Sequence, residues 1–480
     1  MRNQHRFLAR IVIETQTPIT IGSGNKGMKT DSLVLRDVNG LPFIPGTTLA
    51  GLLRHSLGTE AERDLLMGSQ ECGSPLIITE ARMLDKDGKV LDGIIADSSI
   101  DTEFATLYRR QQPIRQHACI GHRGVTEEGG KFDEEVVVKG TRFCFEIEML
   151  SDSKDDGRFK ALLDTFASDT FRIGSGSRSG YGKIKVVMGD QENKCQYKNL
   201  DLTAEKDWYL KKSSSLSVEW KDAEVYELKP SQDQAWTRYQ LTGLKPVDFL
   251  LFGSGLGNEK ADMTFVRESY VKWTGNKEEV VHGTDLNPDG SEAKVNVVVI
   301  PASSVKGALA HRTAFHYNRL SGAVVEADGT IRNGKTPGEV TGNSNPAVKA
   351  IFGSEGTKEG NTLKDKQRGN ILMSDIMRKA DASTKPKLLN HVAIDRFTGG
   401  AIDGALFSEQ ALHAANERFE FEIFVHQDAF REPHVRDAFE CALKDICTGL
   451  LPLGGGVNRG NGCFENGELK RDGIRIYGNN

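Results

Sequence analysis

The feature that most constrains what this chain can fold into is that it repeats itself once. Ile21-Gly22-Ser23-Gly24, followed by Asp31 and Val34-Leu35-Arg36-Asp37, returns as Phe252-Gly253-Ser254-Gly255, then Asp262 and Phe265-Val266-Arg267-Glu268, at a constant offset of 231. IPGTTLAGLLRH, from Ile44 to His55, returns as IPASSVKGALAH, from Ile300 to His311, with the offset grown to 256, so a 25-residue insertion lies within 269–299 of the second copy. Three further blocks match in the same order: His117–Ile120 with His391–Ile394, Arg142–Ile147 with Arg418–Ile423, and IGSGSRSGYG (173–182) with LGGGVNRGNG (453–462). A duplication obliges both halves to share one fold, and 480 residues allow each half its own core. The expected division is a first domain over 1–195, a polar linker over 196–235 with room for one hairpin, and a second domain over 236–480.

Within each copy the periodicities give an element order. Residues 8–21 alternate as a strand, Thr47 or Thr48 is placed to N-cap a helix through about His55, and 75–83 reads as a short apolar strand. A long strand over 136–150, a helix over 158–169 and a closing strand over 183–188 follow; the second copy repeats the series at 237–252, 303–319, 370–376, 417–426, 434–449 and 463–469. The order β-α-β-β-α-β predicts an α+β protein of two tandem ferredoxin-like (RRM-like) domains with inserted loops.

Charge and composition narrow the function classes. The net charge of −5 is not that of a free-standing nucleic-acid binder, so any RNA surface is a local patch. No apolar run approaches the roughly 18 residues of a membrane span, and the alternating FLARIVIETQTPITIG near the start is a strand rather than a signal peptide. The reading is a cytoplasmic protein with no membrane contact. Its seven cysteines form no C-x-x-C pair and are read as reduced thiols. Neither an H-E-x-x-H motif nor a Cys/His cluster points to zinc.

Several motifs carry two readings. In the late loop, Gly174, Gly176, Arg178 and Gly180, with Gly454, Gly455, Gly456, Asn458 and Arg459 in the second copy, either offer successive N–H groups to phosphate or make a tight connection into the last strand. It is not a P-loop, because Ile184 follows Lys183 where Ser or Thr is needed. Gly22-Ser23-Gly24-Asn25-Lys26-Gly27 fits G-x-G-x-x-G, but no helix follows and the second copy breaks the pattern. Thr47 and Thr48, and Ser303 and Ser304 with Lys306, cap a helix or also bind phosphate there. Residues 104–126 contain no acidic residue at all but hold Arg109, Arg110, Arg115, His117, His122 and Arg123 beside Tyr108, with Arg378, Lys379, Lys385, Lys387, His391 and Arg396 in the equivalent region: a solvated loop or a surface that tracks single-stranded RNA. Matching histidines at 55 and 311 read as packing residues or as catalysts. Asp31 and Asp262 sit in glycine-bearing loops after the first strand, where a lone carboxylate is either solvated or chemical.

The GSG…Asp…hydrophobic-Arg-acid pattern, the I-P-[GA]-[ST]-[ST]-x-x-G block, Asn390-His391-Val392-Ala393-Ile394-Asp395-Arg396-Phe397-Thr398-Gly399-Gly400-Ala401 and the late glycine-rich loop together resemble the RAMP superfamily of CRISPR-associated proteins. The similarity is to backbone subunits of type III effector complexes, here two fused in tandem. It implies binding to guide RNA (crRNA), to a complementary target RNA and to other CRISPR effector subunits, with a thumb hairpin in each copy at about 120–135 and 394–410. It also implies that Asp31 and Asp262 cleave target RNA with Mg²⁺ or another divalent cation. The alternatives are a non-catalytic crRNA scaffold and a guide-processing ribonuclease using a histidine such as His55. The first copy lacks the IDRFTGGA pattern, so the two thumbs are expected to differ in shape.

Overall fold

A computed structural model describes the chain except for residues 1–2, 28–29, 97–99, 111, 122–123, 231–232, 287–291, 324–329, 332–339, 355–356, 360–361, 365 and 479–480. In the first repeat the strand His5–Thr15 alternates Phe7, Ala9, Ile11 and Ile13 into the core. It pairs antiparallel with Arg142–Ser151 on one side. On its other side it pairs with Ile184–Met188 along residues 12–15 and with Lys194–Asp201 along residues 5–10. Leu76–Ile78 completes the far edge against Arg142–Ser151. The helices Gly46–Ser56 and Gly157–Asp164 bury Leu49, Leu53, Phe159, Leu162 and Leu163 against this sheet.

The second repeat is built alike. Trp236–Pro246 pairs antiparallel with Phe419–His426 and with Glu468–Arg471, and Ile371–Met373 forms the edge beyond Phe419–His426. Two long helices, with the short helix Pro346–Phe352 beside them, supply the inner layer. Ala302–Leu320 is one; Val435–Cys447 is the other, with Val435, Ala438, Phe439, Ala442, Leu443 and Ile446 buried at helical spacing. In both sheets the last strand lies beside the first, the first beside the third, and the third beside the second.

Three expectations are corrected. The segment 196–235 is not a linker: Lys194–Asp201 and Glu224–Glu227 are strands of the first sheet, and the stretch between them covers its outer face. There Leu8, Leu200 and Trp220 form a small core with Trp208 and Tyr209, and Arg10 lies over the Trp220 ring at 4.8 Å. Thr47, Thr48, Ser303 and Ser304 do not cap their helices, because Pro45 and Pro301 occupy the N-cap positions and no side chain bonds there. Gly46 is required beyond that position: a Cβ on it would lie 2.4 Å from the Ile78 carbonyl oxygen. The helix expected over 158–169 ends at Asp164 and tightens to a 3₁₀ turn over Thr165–Ala167.

The insertion in the second copy forms a hairpin, Tyr270–Thr274 with Lys277–Val281, that packs on the first repeat. The Val271 amide donates to the Lys139 carbonyl at 2.8 Å, Trp273 Nε1 donates to the Gly140 carbonyl at 2.7 Å, and Arg142 lies over the Trp273 ring at 4.2 Å. Among the described residues no helix is long and apolar enough to cross a membrane, and all seven cysteines are free thiols.

Candidate functional site

Each of the two aspartates is clasped by backbone at the base of a long hairpin. In the first repeat the hairpin is Ile114–Ile120 with Thr126–Glu135. The Asp31 amide donates to Asp133 Oδ1 at 2.7 Å and the Asp133 amide donates back to Asp31 Oδ2 at 3.3 Å, while Ser32 bridges Glu134 in parallel register. In the second repeat the hairpin is Lys385–Ile394 with Ala401–His413. The Asp262 amide donates to the Ser408 carbonyl at 3.0 Å, and Asp262 Oδ2 accepts the Ser408 amide at 2.7 Å and its hydroxyl at 3.1 Å. Met263 then bridges Glu409 in parallel register, as Ser32 does Glu134. A reciprocal clasp of this kind fixes the carboxylate's position while leaving its outer face in water: the Asp31 side chain is 51% exposed, with Lys26 Nζ 3.7 Å away. The N–H and hydroxyl of Ser408 hold the Asp262 carboxyl below the ordinary carboxylate range.

The same hairpin strands carry a second duplicated arrangement that the sequence reading missed. His117 Nε2 lies 3.0 Å from Glu134 Oε1 and its ring stacks on Phe132 at 4.8 Å; His391 Nε2 lies 3.1 Å from Glu409 Oε1 and its ring stacks on Phe407 at 4.8 Å. The late loop reaches both pairs, since Tyr181 Oη is 3.1 Å from His117 Nε2 and Arg459 Nη2 is 2.5 Å from Glu409 Oε2. The matching histidines were visible in the sequence. Their partners lie on a strand whose two copies share too few residues to align by eye.

The other expected RNA-binding residues scatter. Arg115 is buried in ion pairs with Glu268 and Asp375 of the second repeat and is withdrawn from any surface. Arg109 is half-buried. Arg123 lies outside the described residues, and of Arg110 only the backbone is described. Lys306 is half-buried on the first turns of its helix, beside exposed Ser304 and half-buried Ser303; Thr47 is exposed and Thr48 half-buried.

The first glycine-rich loop makes a tight connection at the junction between repeats. The Ser175, Tyr181 and Gly182 amides donate to Thr20, Gly176 and Pro18 carbonyls, and Gly180 pairs with Ser374. Gly180 sits at φ +118°, where a Cβ would collide with Asp375. Arg178 Nε donates to the Gly369 carbonyl at 3.1 Å, and burial beside Arg368 and Arg172 brings its pKa down to about 10. Gly174 is packed against the Thr20 carbonyl, and Gly176 against the Tyr181 ring. In the second loop Gly454 is exposed, Gly455 donates to the Leu251 carbonyl, Gly456 lies against Asn461, and Asn458 and Arg459 face solvent. One glycine loop is therefore enclosed and its counterpart is open.

The hairpin tips carry apolar side chains into water. Phe397 is 83% exposed at the second tip, with Ile120 and Val125 exposed at the first; Leu406, 73% exposed, and Phe132 stand further down their strands, close to Ser408 and Asp133. Asp395 builds the second tip by accepting the Phe397 and Thr398 amides at 3.0 and 2.8 Å, which also lowers its pKa. Exposed Arg396, Lys385 and Lys387 add positive charge along this hairpin.

Mg²⁺ usually keeps several waters and takes one or two carboxylates together with phosphate oxygens. Asp31 with Asp133 offers two carboxylates on tied backbone segments; Asp262 has a serine hydroxyl in the corresponding place. Among the described residues no three His, Cys, Asp or Glu groups converge, so an ion at either aspartate would draw most of its ligands from water and RNA phosphate.

The comparisons with known proteins match this duplicated plan. A family model described as the RAMP superfamily matches residues 12–185 and again 252–465. The chain is 24% identical over 209 residues to the CRISPR system Cms endoribonuclease Csm3 of Methanothermobacter thermautotrophicus, covering 38% of this chain and 85% of that protein. It is 29% identical over 194 residues to the protein of the same name from Methanocaldococcus jannaschii, covering 36% of this chain and 75% of that one.

Proposed function

Because the chain belongs to the RAMP superfamily, with two matched regions in tandem, we propose that it is a crRNA-binding backbone subunit of a type III CRISPR RNA-targeting complex that cuts complementary target RNA at two places. The relatives named as Csm3 endoribonucleases each align over about one repeat's length, which fits two backbone-type subunits in one polypeptide. The strand order described above, last-first-third-second with every neighbour antiparallel, supports reading each repeat as ferredoxin-like. The observation that carries the catalytic reading is the repetition of the aspartate clasp: two unrelated partners, Asp133 and Ser408, hold the two carboxylates in the same way.

A carboxylate ionised at neutral pH is a weak general base, so its contribution is positional and electrostatic. Asp31 and Asp262 hold a fixed negative charge where a divalent cation and a target phosphate meet; a bound Mg²⁺ would supply charge neutralisation on the phosphate. The exposed apolar side chains of the hairpins, Phe397 at the tip and Leu406 two residues from Ser408 above all, would splay the paired RNA beside the clasp and bring a ribose 2′-oxygen in line with the adjacent phosphorus. The 2′-O–P bond forms as the P–O5′ bond breaks, the 2′-hydroxyl giving its proton to water and the leaving 5′-oxygen taking one from water, which leaves a 2′,3′-cyclic phosphate and a 5′-hydroxyl.

Cleavage of a 5′-labelled complementary RNA by the assembled complex with Mg²⁺ tests this. Asp31→Asn and Asp262→Asn are each expected to remove one distinct product, by about a hundredfold or more. A 2′-deoxy substitution at the cut nucleotide should protect that site. If neither substitution removes a product, the chain is a scaffold; if crRNA maturation fails instead, and does so with His55→Ala, it is a processing nuclease.

A further inference from the structure

The junction between the repeats is built around one arginine. Arg115, 6% exposed, donates from Nε and Nη2 to the two Glu268 oxygens at 2.5 and 2.7 Å and from Nη1 to Asp375 Oδ2, with its guanidinium over the Tyr181 ring. Asp375 Oδ1 also accepts the Ala302 amide at 2.8 Å, which ties in the first turn of the second repeat's long helix. The hairpin base of one repeat thus meets an acidic pair on the next. Such a head-to-tail contact continues into a filament wherever both of its halves are presented again at the ends.

Here the ends present neither half. The acidic pair does recur in the first repeat: Asp37 corresponds to Glu268, and Glu80 precedes the residue that bridges Ile44 just as Asp375 precedes the residue paired with Ile300. In the first repeat, however, Arg82 of the same repeat fills the place. Its Nη1 donates to Asp37 Oδ2 at 3.0 Å and its Nη2 to Glu80, and its guanidinium lies 5.3 Å over the Phe43 ring, as Arg115 lies over Tyr181. On the other half of the contact the arginine is gone. Arg115 faces Glu134 across the first hairpin, and the residue facing Glu409 across the second is Leu389, which has no charge to offer.

We propose that Arg82 is a built-in plug that satisfies in cis the acidic pair which Arg115 satisfies between repeats, so that this junction forms once per chain and the chain does not stack on itself. A neighbour seated against Asp37 and Glu80 of the first repeat is then a different protein, and it brings no arginine to them. The plug specifies the partner by repulsion, since an incoming guanidinium would share two carboxylates with one already there. This inference rests on the junction alone and is independent of whether the aspartates cut RNA.

Sedimentation velocity of the full chain over a rising concentration series is the test. The wild type should remain a single-chain species. The Arg82→Ala/Leu389→Arg variant should associate at least about tenfold more strongly than Arg82→Ala alone, and adding Asp37→Asn with Glu80→Gln should abolish the gain. Circular dichroism and a melting curve on each variant establish that it is folded. A wild type that self-associates and loses that association on Asp37→Asn/Glu80→Gln overturns the proposal. So does a folded Arg82→Ala/Leu389→Arg variant that stays single.

Discussion

In the first repeat the outer face of the sheet lies under Trp208 and Trp220, and the inner core takes in Val271 from the other repeat. In the second, the core runs from Tyr239 to Leu469 within its own residues, and Arg238, Gln240 and Thr242 on the outer face are only half-buried. Two sequences with one element order have thus closed themselves differently. The lesson is that a duplicated fold can keep one local arrangement in both copies, here the hairpin and its aspartate clasp, while its sheets are covered differently.

The sharpest way to break the comparison is at the junction. Arg115→Met leaves Glu268 and Asp375 buried without a counter-charge and is expected to cost about 3–5 kcal/mol in a denaturant titration, whereas Arg82→Ala, in a partly exposed copy of the same arrangement, should cost about 1 kcal/mol or less. Equal costs would mean that the two triads are equivalent. Next in size, Trp220→Ala opens the cover of the first sheet beside Leu8 and Arg10, for an expected loss of about 3 kcal/mol in the same titration. A negligible loss would return 202–223 to the status of a linker.

The smallest effect concerns the clasps. The folded pKa of Asp262 lies below its unfolded value, so its contribution is present above the ordinary carboxylate range and is lost as pH falls through the depressed value. Ser408→Ala removes the hydroxyl donor and should move that pKa up toward the ordinary range, with the acid limb of cleavage at the second site moving up alongside it. The product assigned to Asp31 should keep its pH profile. An NMR titration of the Asp262 carboxyl together with band-resolved cleavage reads both.

Much of the plan was legible because duplication supplies its own alignment. A constant offset pointed to Asp31 and Asp262, and the recurrence of Arg142–Ile147 as Arg418–Ile423 located the third strand of each sheet. What was not legible depended on distance along the chain. Arg115 belongs to a run that reads as a basic surface, yet its partners stand 153 and 260 residues away. Composition registers its charge and says nothing of where that charge is spent. The segment 196–235 was disguised by its Lys and Ser clusters, which hid the spacing of Leu200, Trp208 and Trp220. The clasp partners Asp133 and Ser408 differ in type, and what the two clasps share is a backbone amide donated to the aspartate, so no residue pattern marks them.

The hairpin Tyr270–Val281 sets an order of events during synthesis. Gly140 is pressed so closely against the Val271 carbonyl that a Cβ there would lie 1.9 Å from its oxygen, and Trp273 bonds the Gly140 carbonyl. Gly140 emerges from the ribosome more than a hundred residues before Val271 and Trp273, which pack on it. Until then the first repeat's edge near Lys139 to Arg142 is bare, and contacts of such long sequence separation form late. A gene cut between the repeats would therefore yield a first half that waits for a finish only the second half can give.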